Sequence, residues 1–279
     1  MTVDMKLGLS TYFFIDEKLE KEHAELVGRR RIESVELWGM PPHADYRDPD
    51  SWKRAGALFD GEGVRVNSVH APFYESPRDL TKGRFISISS VNEKKRRKAL
   101  EVVMRAAELM ELVRSRILVV HFGTAFDPNR QRTHEALLSS LVSLQEFTAG
   151  AGIRLAFENV VSIFSTAGSM AGILDRYDFH GMGIALDTGH ANLNEEPASA
   201  VRNCGARLLC LHASDNNGVN DEHLIPGEGK IDWREVCRAL GDAGYDGDFT
   251  VEIRNAGDPD ETLGKVRESW EKLIEPLTA

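Results

Sequence analysis

Eight short strand-like runs, several of them nearly unbroken apolar stretches, recur along this chain, most of them separated by longer segments with helical spacing. The runs are Lys6–Ser10, Ser34–Trp38, Val64–His70, Ile117–His121, Ile153–Glu158, Gly183–Asp187, Leu208–His212 and Phe249–Ile253. Stretches such as ILVVHF and LLCLHA lack the polar alternation of a strand with one wet face, so they suit parallel strands covered on both sides. Helical patterns fill the gaps, at Asn92–Leu112, Thr133–Phe147, Trp233–Ala243 and Asp260–Leu273. Asp232 before Trp233, and Asp258 with Pro259, read as helix starts.

Eight strand–helix units with short links predict an α/β fold, a closed (β/α)8 TIM barrel in which residues 1–279 form one domain. An open doubly wound sheet would carry a glycine-rich phosphate turn after its first strand, and GLSTYFF is not one.

In a barrel of this kind, chemistry resides at and beyond the C-terminal ends of the strands. Those positions hold Glu36, His70, His121, Glu158, Asp187 with His190 three residues on, His212, and Glu252; the loop after strand seven adds Asp221 and His223. Five of the nine histidines belong to this set. Imidazole and carboxylate together are a ligand set for divalent ions, and a dication removes the repulsion among clustered carboxylates. Singly, each residue has a plainer reading. His121 alone is a hydrogen-bonded structural group, Glu36 a salt bridge or substrate contact, and Cys210 core. Glu158 and Glu252 end apolar runs, where an unpaired carboxylate is costly and demands a partner. The whole set is far more specific than its members.

Several neighbours read as supports. Asn159 and Asn192 stand beside ligand candidates, Gly227 and Gly229 permit close backbone approach, and Glu228 is a candidate acceptor behind the ligands. Tyr12, Phe13, Trp38 and Phe73 read as rim packing of the core or as a face for a sugar at the barrel mouth, and Arg78, Lys82 and Arg84 as a solvated basic loop or a clasp for a phosphate.

These motifs (HAP, VVH-G, the Glu-Asn pair at 158–159, DTGH, and HASDN followed by D-x-H-L-x-P-G-E-G) resemble the xylose isomerase-like barrel superfamily. It joins sugar isomerases and epimerases with the type IV apurinic endonucleases. The epimerase resemblance implies one Mn²⁺, Co²⁺, Mg²⁺ or Zn²⁺ on Glu158, Asp187, His212 and Glu252. It also implies proton exchange by Glu158 and Glu252, and a sugar contact from His190. An arginine frequent in that branch after the strand-seven histidine is missing from ASDNNGVN. The endonuclease resemblance implies three zinc ions on His70, His121, Glu158, Asp187, His190, His212, Asp221, His223 and Glu252. The expected cofactor is therefore one to three divalent ions.

Charge bears on the choice of chemistry. With 34 Lys and Arg against 44 Asp and Glu, the net charge of -10 repels a phosphate backbone and disfavours nucleic acid, although bound dications would offset part of it. The expected function is metal-dependent isomerisation or epimerisation of a small sugar or sugar phosphate by proton transfer through an enediolate. A multinuclear zinc phosphodiesterase is the alternative, and a polyol or keto-acid dehydratase is third. Cys204, Cys210 and Cys237 match no pairing motif and read as buried free thiols. No secretory leader or membrane span is visible, so a cytoplasmic enzyme is expected, with a homo-oligomer left open.

Overall fold

A computed structural model describes residues 5–123, 130–162 and 164–278. Among them, eight parallel strands close into one barrel in sequence order. They are β1 (Leu7–Ser10), β2 (Ser34–Trp38), β3 (Arg65–His70), β4 (Ile117–His121), β5 (Arg154–Glu158), β6 (Met182–Asp187), β7 (Leu208–Ala213) and β8 (Phe249–Val251). The helices that matter below are α1 (Glu93–Leu109), α2 (Thr188–Asn194) and α3 (Trp233–Asp242). The expected TIM barrel is therefore the observed architecture.

Strand geometry turns the apolar runs into two layers. Successive side chains point to opposite faces, so alternate residues enter the barrel. Leu118 and Val120 of β4, Leu155 and Phe157 of β5, and Leu211 of β7 join the large core beneath the helices. Their neighbours Ile117, Val119, Ala156, Ala185 and Cys210 form a second, smaller cluster. His121, Glu158, Asp187 and His212 each stand two residues beyond a member of that cluster, so they continue its face at the top of the barrel. Register aligns them across strands: His121 lies opposite Glu158, and Asp187 opposite His212.

Differences from the expected boundaries have local causes. The last strand stops at Val251, two residues early. The Glu252 N–H still bonds the Ala213 carbonyl, but the Glu252 carbonyl accepts from His223 Nδ1 at 3.0 Å, which ends the ladder. The Asn92–Leu112 pattern becomes α1, capped by the Asn92 side chain, followed by a 3₁₀ turn at Met110–Val113 that leads into left-handed Arg114. All three cysteines are free and buried, as expected. Among the described residues no helix is long and apolar enough to cross a membrane.

Candidate metal centre

The predicted ligands converge. Among the described residues, two groups bring one ligand atom from each member within 4.8 Å of the others: His70, His121 and Glu158, and Glu158, Asp187, His212 and Glu252. Glu158 is common to both, with Oε2 at 3.1 Å from Nε2 of His70 and of His121, and Oε1 at 3.6 Å from His212 Nδ1. His190, Asp221 and His223 are joined differently. Asp221 Oδ2 lies 3.2 Å from Nε2 of both histidines, and His190 Nδ1 lies 3.3 Å from Glu158 Oε1.

Three histidines share one arrangement. The outward nitrogen is held by an acceptor: Ala71 O takes the His70 Nδ1–H at 2.9 Å, Glu252 O takes the His223 Nδ1–H, and Glu36 Oε2 takes the His212 Nε2–H at 3.0 Å. These bonds fix the tautomer and leave the inner nitrogen's lone pair facing a carboxylate. A lone pair against a carboxylate at 3.1–3.2 Å is repulsive unless a proton or a cation lies between.

Local structure explains how DTGH presents two of these groups. Asp187 caps α2 by accepting the His190 N–H at 2.8 Å, which sets His190 one turn later over the barrel mouth. The capping oxygen, Oδ1, also accepts from Ser214 Oγ. Gly189 is required by crowding, because a Cβ there would fall 2.3 Å from Ser214 Oγ. Asn159 clamps the Asp187 backbone from both sides, accepting its N–H at 2.7 Å and donating to its carbonyl at 3.0 Å. His223 has φ of 48°, a left-handed conformation that costs a non-glycine residue roughly 1–2 kcal/mol and is held here by the ring's bond to Glu252 O.

The donor set fits a divalent ion. Asp187 Oδ2, His190 Nδ1 and His212 Nδ1 are buried without a hydrogen-bond partner, and two of these three atoms belong to the four-residue group. Buried polar atoms are rarely left unmatched. Without a cation, protons must balance the carboxylates. Burial pulls His190 and His212 down, yet Asp187 beside the first and Glu36 and Glu252 beside the second hold both well above the usual histidine range. Burial likewise opposes the charge on His223, but Asp221 pushes it up to about 9. Burial raises Glu252, and the opposing His212 imidazolium pulls it down to about 2.

Glu36 takes the salt-bridge role among its expected readings, whereas Glu228 and the basic cluster depart from the ligand-supporting and phosphate-clasping ones. Glu36 is wholly buried and accepts from both His212 and Ser68 Oγ, so it orients a ligand from behind. Glu228 is exposed and lines a separate groove with Lys265 and Lys272, so it does not support the ligands. Arg84 pairs with Asp79 at 3.6 Å and lines a neighbouring cleft, and neither Arg78 nor Lys82 lines the ligand cavity. Of the four predicted aromatics, Tyr12, Trp38 and Phe73 line that cavity, whereas Phe13 is buried in the main core. The two glycines are where they were expected. Gly227 has φ of 92°, and a Cβ on Gly229 would fall 2.2 Å from Asp215 Oδ1.

Sequence reading missed Asp215. Its buried carboxylate accepts from the backbone N–H of Asn216, Gly227 and Ile231 and from Trp233 Nε1 at 2.8–3.2 Å, fastening the loop that carries Asp221 and His223. An acid followed by a Gly-rich loop and a Trp at a helix start was the available signal.

The fold and site define an α/β barrel whose C-terminal rim carries buried His and carboxylate groups that could hold a metal ion. The chain belongs to the xylose isomerase-like TIM barrel family, whose model matches residues 29–275. An uncharacterised protein of Methanocaldococcus jannaschii is 31% identical over 266 residues, covering 92% of this chain and 86% of that one. The fructoselysine 3-epimerase of Escherichia coli O157:H7 is 27% identical over 262 residues, covering 89% and 90%. Among solved structures, a D-tagatose 3-epimerase-like protein superposes with a TM-score of 0.82 at 28% identity, covering 98% of both chains. The relatives thus include sugar epimerases, which supports an enzyme of the isomerase or epimerase kind.

Proposed function

We propose that this chain is a divalent-metal-dependent sugar epimerase or isomerase working by proton transfer next to a carbonyl. The observation that carries the reading is the convergence of Glu158, Asp187, His212 and Glu252, with buried ligand atoms left unmatched. These four residues would hold one ion, and His70, His121 and Glu158 would hold a second when present. A bound dication supplies positive charge that lowers the cost of an enediolate.

The remaining chemistry falls to side chains. Glu158 and Glu252 both line a cavity of about 280 Å³ and come from β5 and the end of β8. One carboxylate takes the proton from the carbon beside the carbonyl, and the other returns a proton to that carbon from the opposite side. His190 also faces the cavity, and its ring contacts a sugar hydroxyl. Tyr12 is held as the neutral phenol, because burial and the nearby Glu252 push it up to about 12.

A multinuclear phosphodiesterase is the second reading, favoured by the separate His70–His121–Glu158 group. Against it stand the net charge of -10 and a cavity whose described lining contains no Lys or Arg. Incubating metal-loaded protein with D-fructose, D-tagatose, D-psicose and fructoselysine in deuterated water tests the choice. Deuterium beside the carbonyl is the expected result. Cleavage of an abasic-site oligonucleotide without such exchange would overturn it.

A further inference from the structure

The same cavity restricts what the rest of the substrate can be. Its floor is polar, and every charged group on it is a candidate metal ligand. Its outer wall is not. Phe73, Leu80, Phe85 and Val161 form that wall, and no Lys, Arg, Asn, Gln, Ser or Thr is among the described residues lining it. Phe73 is fixed by its neighbours: its ring centroid lies 4.3 Å from that of His121 and 5.5 Å from that of Trp38. It rests on a small apolar cluster separate from the barrel core, with Trp38, Met40 and Tyr74 at its centre.

Phe85 and Val161 are 41% and 38% exposed, and they are two of only five large apolar side chains exposed among the described residues. Isolated exposed apolar groups are ordinary, but two on the rim of one cavity, continuous with the partly buried Phe73 and Leu80, extend an apolar surface into solvent. Neither Arg78 nor Lys82, which flank Leu80 in sequence, lines the cavity, and three other cations near its mouth are engaged. Arg254 pairs with Asp16 at 2.8 Å, Lys98 with Glu75 at 2.6 Å, and Arg84 with Asp79.

From this wall we infer that the substrate is an uncharged ketose carrying an apolar substituent, with the sugar head at the ligand cluster and the substituent on Phe73, Leu80, Phe85 and Val161. The inference rests on the epimerase reading for the head and on the cavity lining for the tail. A phosphate there would lose water with no Lys or Arg on the described wall to meet it, and a free polyol tail would lose hydrogen bonds that the wall does not replace. An aryl or alkyl group loses nothing and leaves water. Among the described lining residues Tyr12 carries the one hydroxyl, and it can donate to the head.

Calorimetric binding to the Mn²⁺-incubated protein tests this with three compounds that share one head: D-fructose, D-fructose 6-phosphate and 6-O-benzyl-D-fructose. The benzyl ether should bind roughly tenfold tighter than either of the others, the order expected for burying an aromatic ring. Phe85→Ser and Val161→Ser, both at exposed positions, should each shrink that ratio toward one. Equal, weaker or undetectable binding of the benzyl ether, or tightest binding of the phosphate, would overturn the inference. Binding is read without turnover, so absence of deuterium exchange alongside tight benzyl-ether binding would sink the epimerase reading and leave the apolar subsite standing.

Discussion

Glu36 and His212 form a wholly buried pair, with Glu36 Oε2 at 3.0 Å from His212 Nε2. The bond turns the other imidazole nitrogen, Nδ1, toward Glu252 at 3.1 Å and Glu158 at 3.6 Å. A carboxylate behind a ligating histidine fixes the ring and strengthens it as a donor. Glu36→Gln keeps the shape and removes the charge. Its affinity for Mn²⁺ should fall about 10- to 100-fold, read by competition with a chromophoric chelator. Unchanged affinity would remove Glu36 from the centre.

Proton balance predicts a second outcome. His190, His212 and His223 are held protonated by neighbouring carboxylates when no cation is present. Metal uptake near pH 7 should therefore release protons. Titration calorimetry in buffers of different ionisation enthalpy measures the number. Binding heats that do not depend on the buffer would contradict the assignment of these histidines.

A third expectation concerns acid stability. His43 is buried, donates from Nε2 to Phe14 O at 2.9 Å, and accepts at Nδ1 from the Thr11 hydroxyl at 3.1 Å. The Phe14 carbonyl can only accept, so the neutral ring carries its proton on Nε2 and the Thr11 hydroxyl, which also accepts from Trp38 N–H, donates to Nδ1. Burial pulls His43 down from 6.5 to about 4, so the unfolded chain binds its proton first. The contribution to stability is complete above pH 6.5 and is lost as pH falls from there toward 4, roughly 3 kcal/mol in all. Denaturant unfolding of His43→Gln should show a flatter slope across that window than the parent. An identical slope would mean that His43 does not titrate on unfolding.

The loop carrying Asp221 and His223 supplies a fourth. Asp215 accepts four N–H donors there, and Asp215→Asn replaces one accepting oxygen with an amide that faces them. Leaving buried donors unmatched costs about 1–3 kcal/mol each. Thermal unfolding should show a lower midpoint than the parent protein. An unchanged midpoint would show that the loop does not depend on this carboxylate.

The barrel was legible because its physics is periodic. Both-face burial makes the strands continuous apolar runs, and a ligand two residues beyond Ala156, Ala185 or Cys210 must share their face. The strand-end residues His70, His121, Glu158, Asp187, His212 and Glu252 could be picked out for that reason. What lies behind them was harder to see. Glu36 and Asp215 matter through partners 176 and up to 18 residues away, and a carboxylate at either position looks the same whether it holds an imidazole or water. Whether Arg78, Lys82 and Arg84 stay solvated or clasp a ligand, and which way Glu228 faces, was open in the sequence because loop side-chain direction depends on contacts outside the motif. In Arg84 that contact is Asp79, and Glu228 turns outward at the loop edge.

The account rests most heavily on the group Glu158, Asp187, His212 and Glu252 holding a metal ion. Elemental analysis after loading with Mn²⁺ and exhaustive dialysis tests this directly, with Asp187→Asn as the comparison. At least one equivalent should remain on the parent protein and little on the variant. Parent protein that retains no divalent ion, or a variant that retains as much, would contradict the central claim.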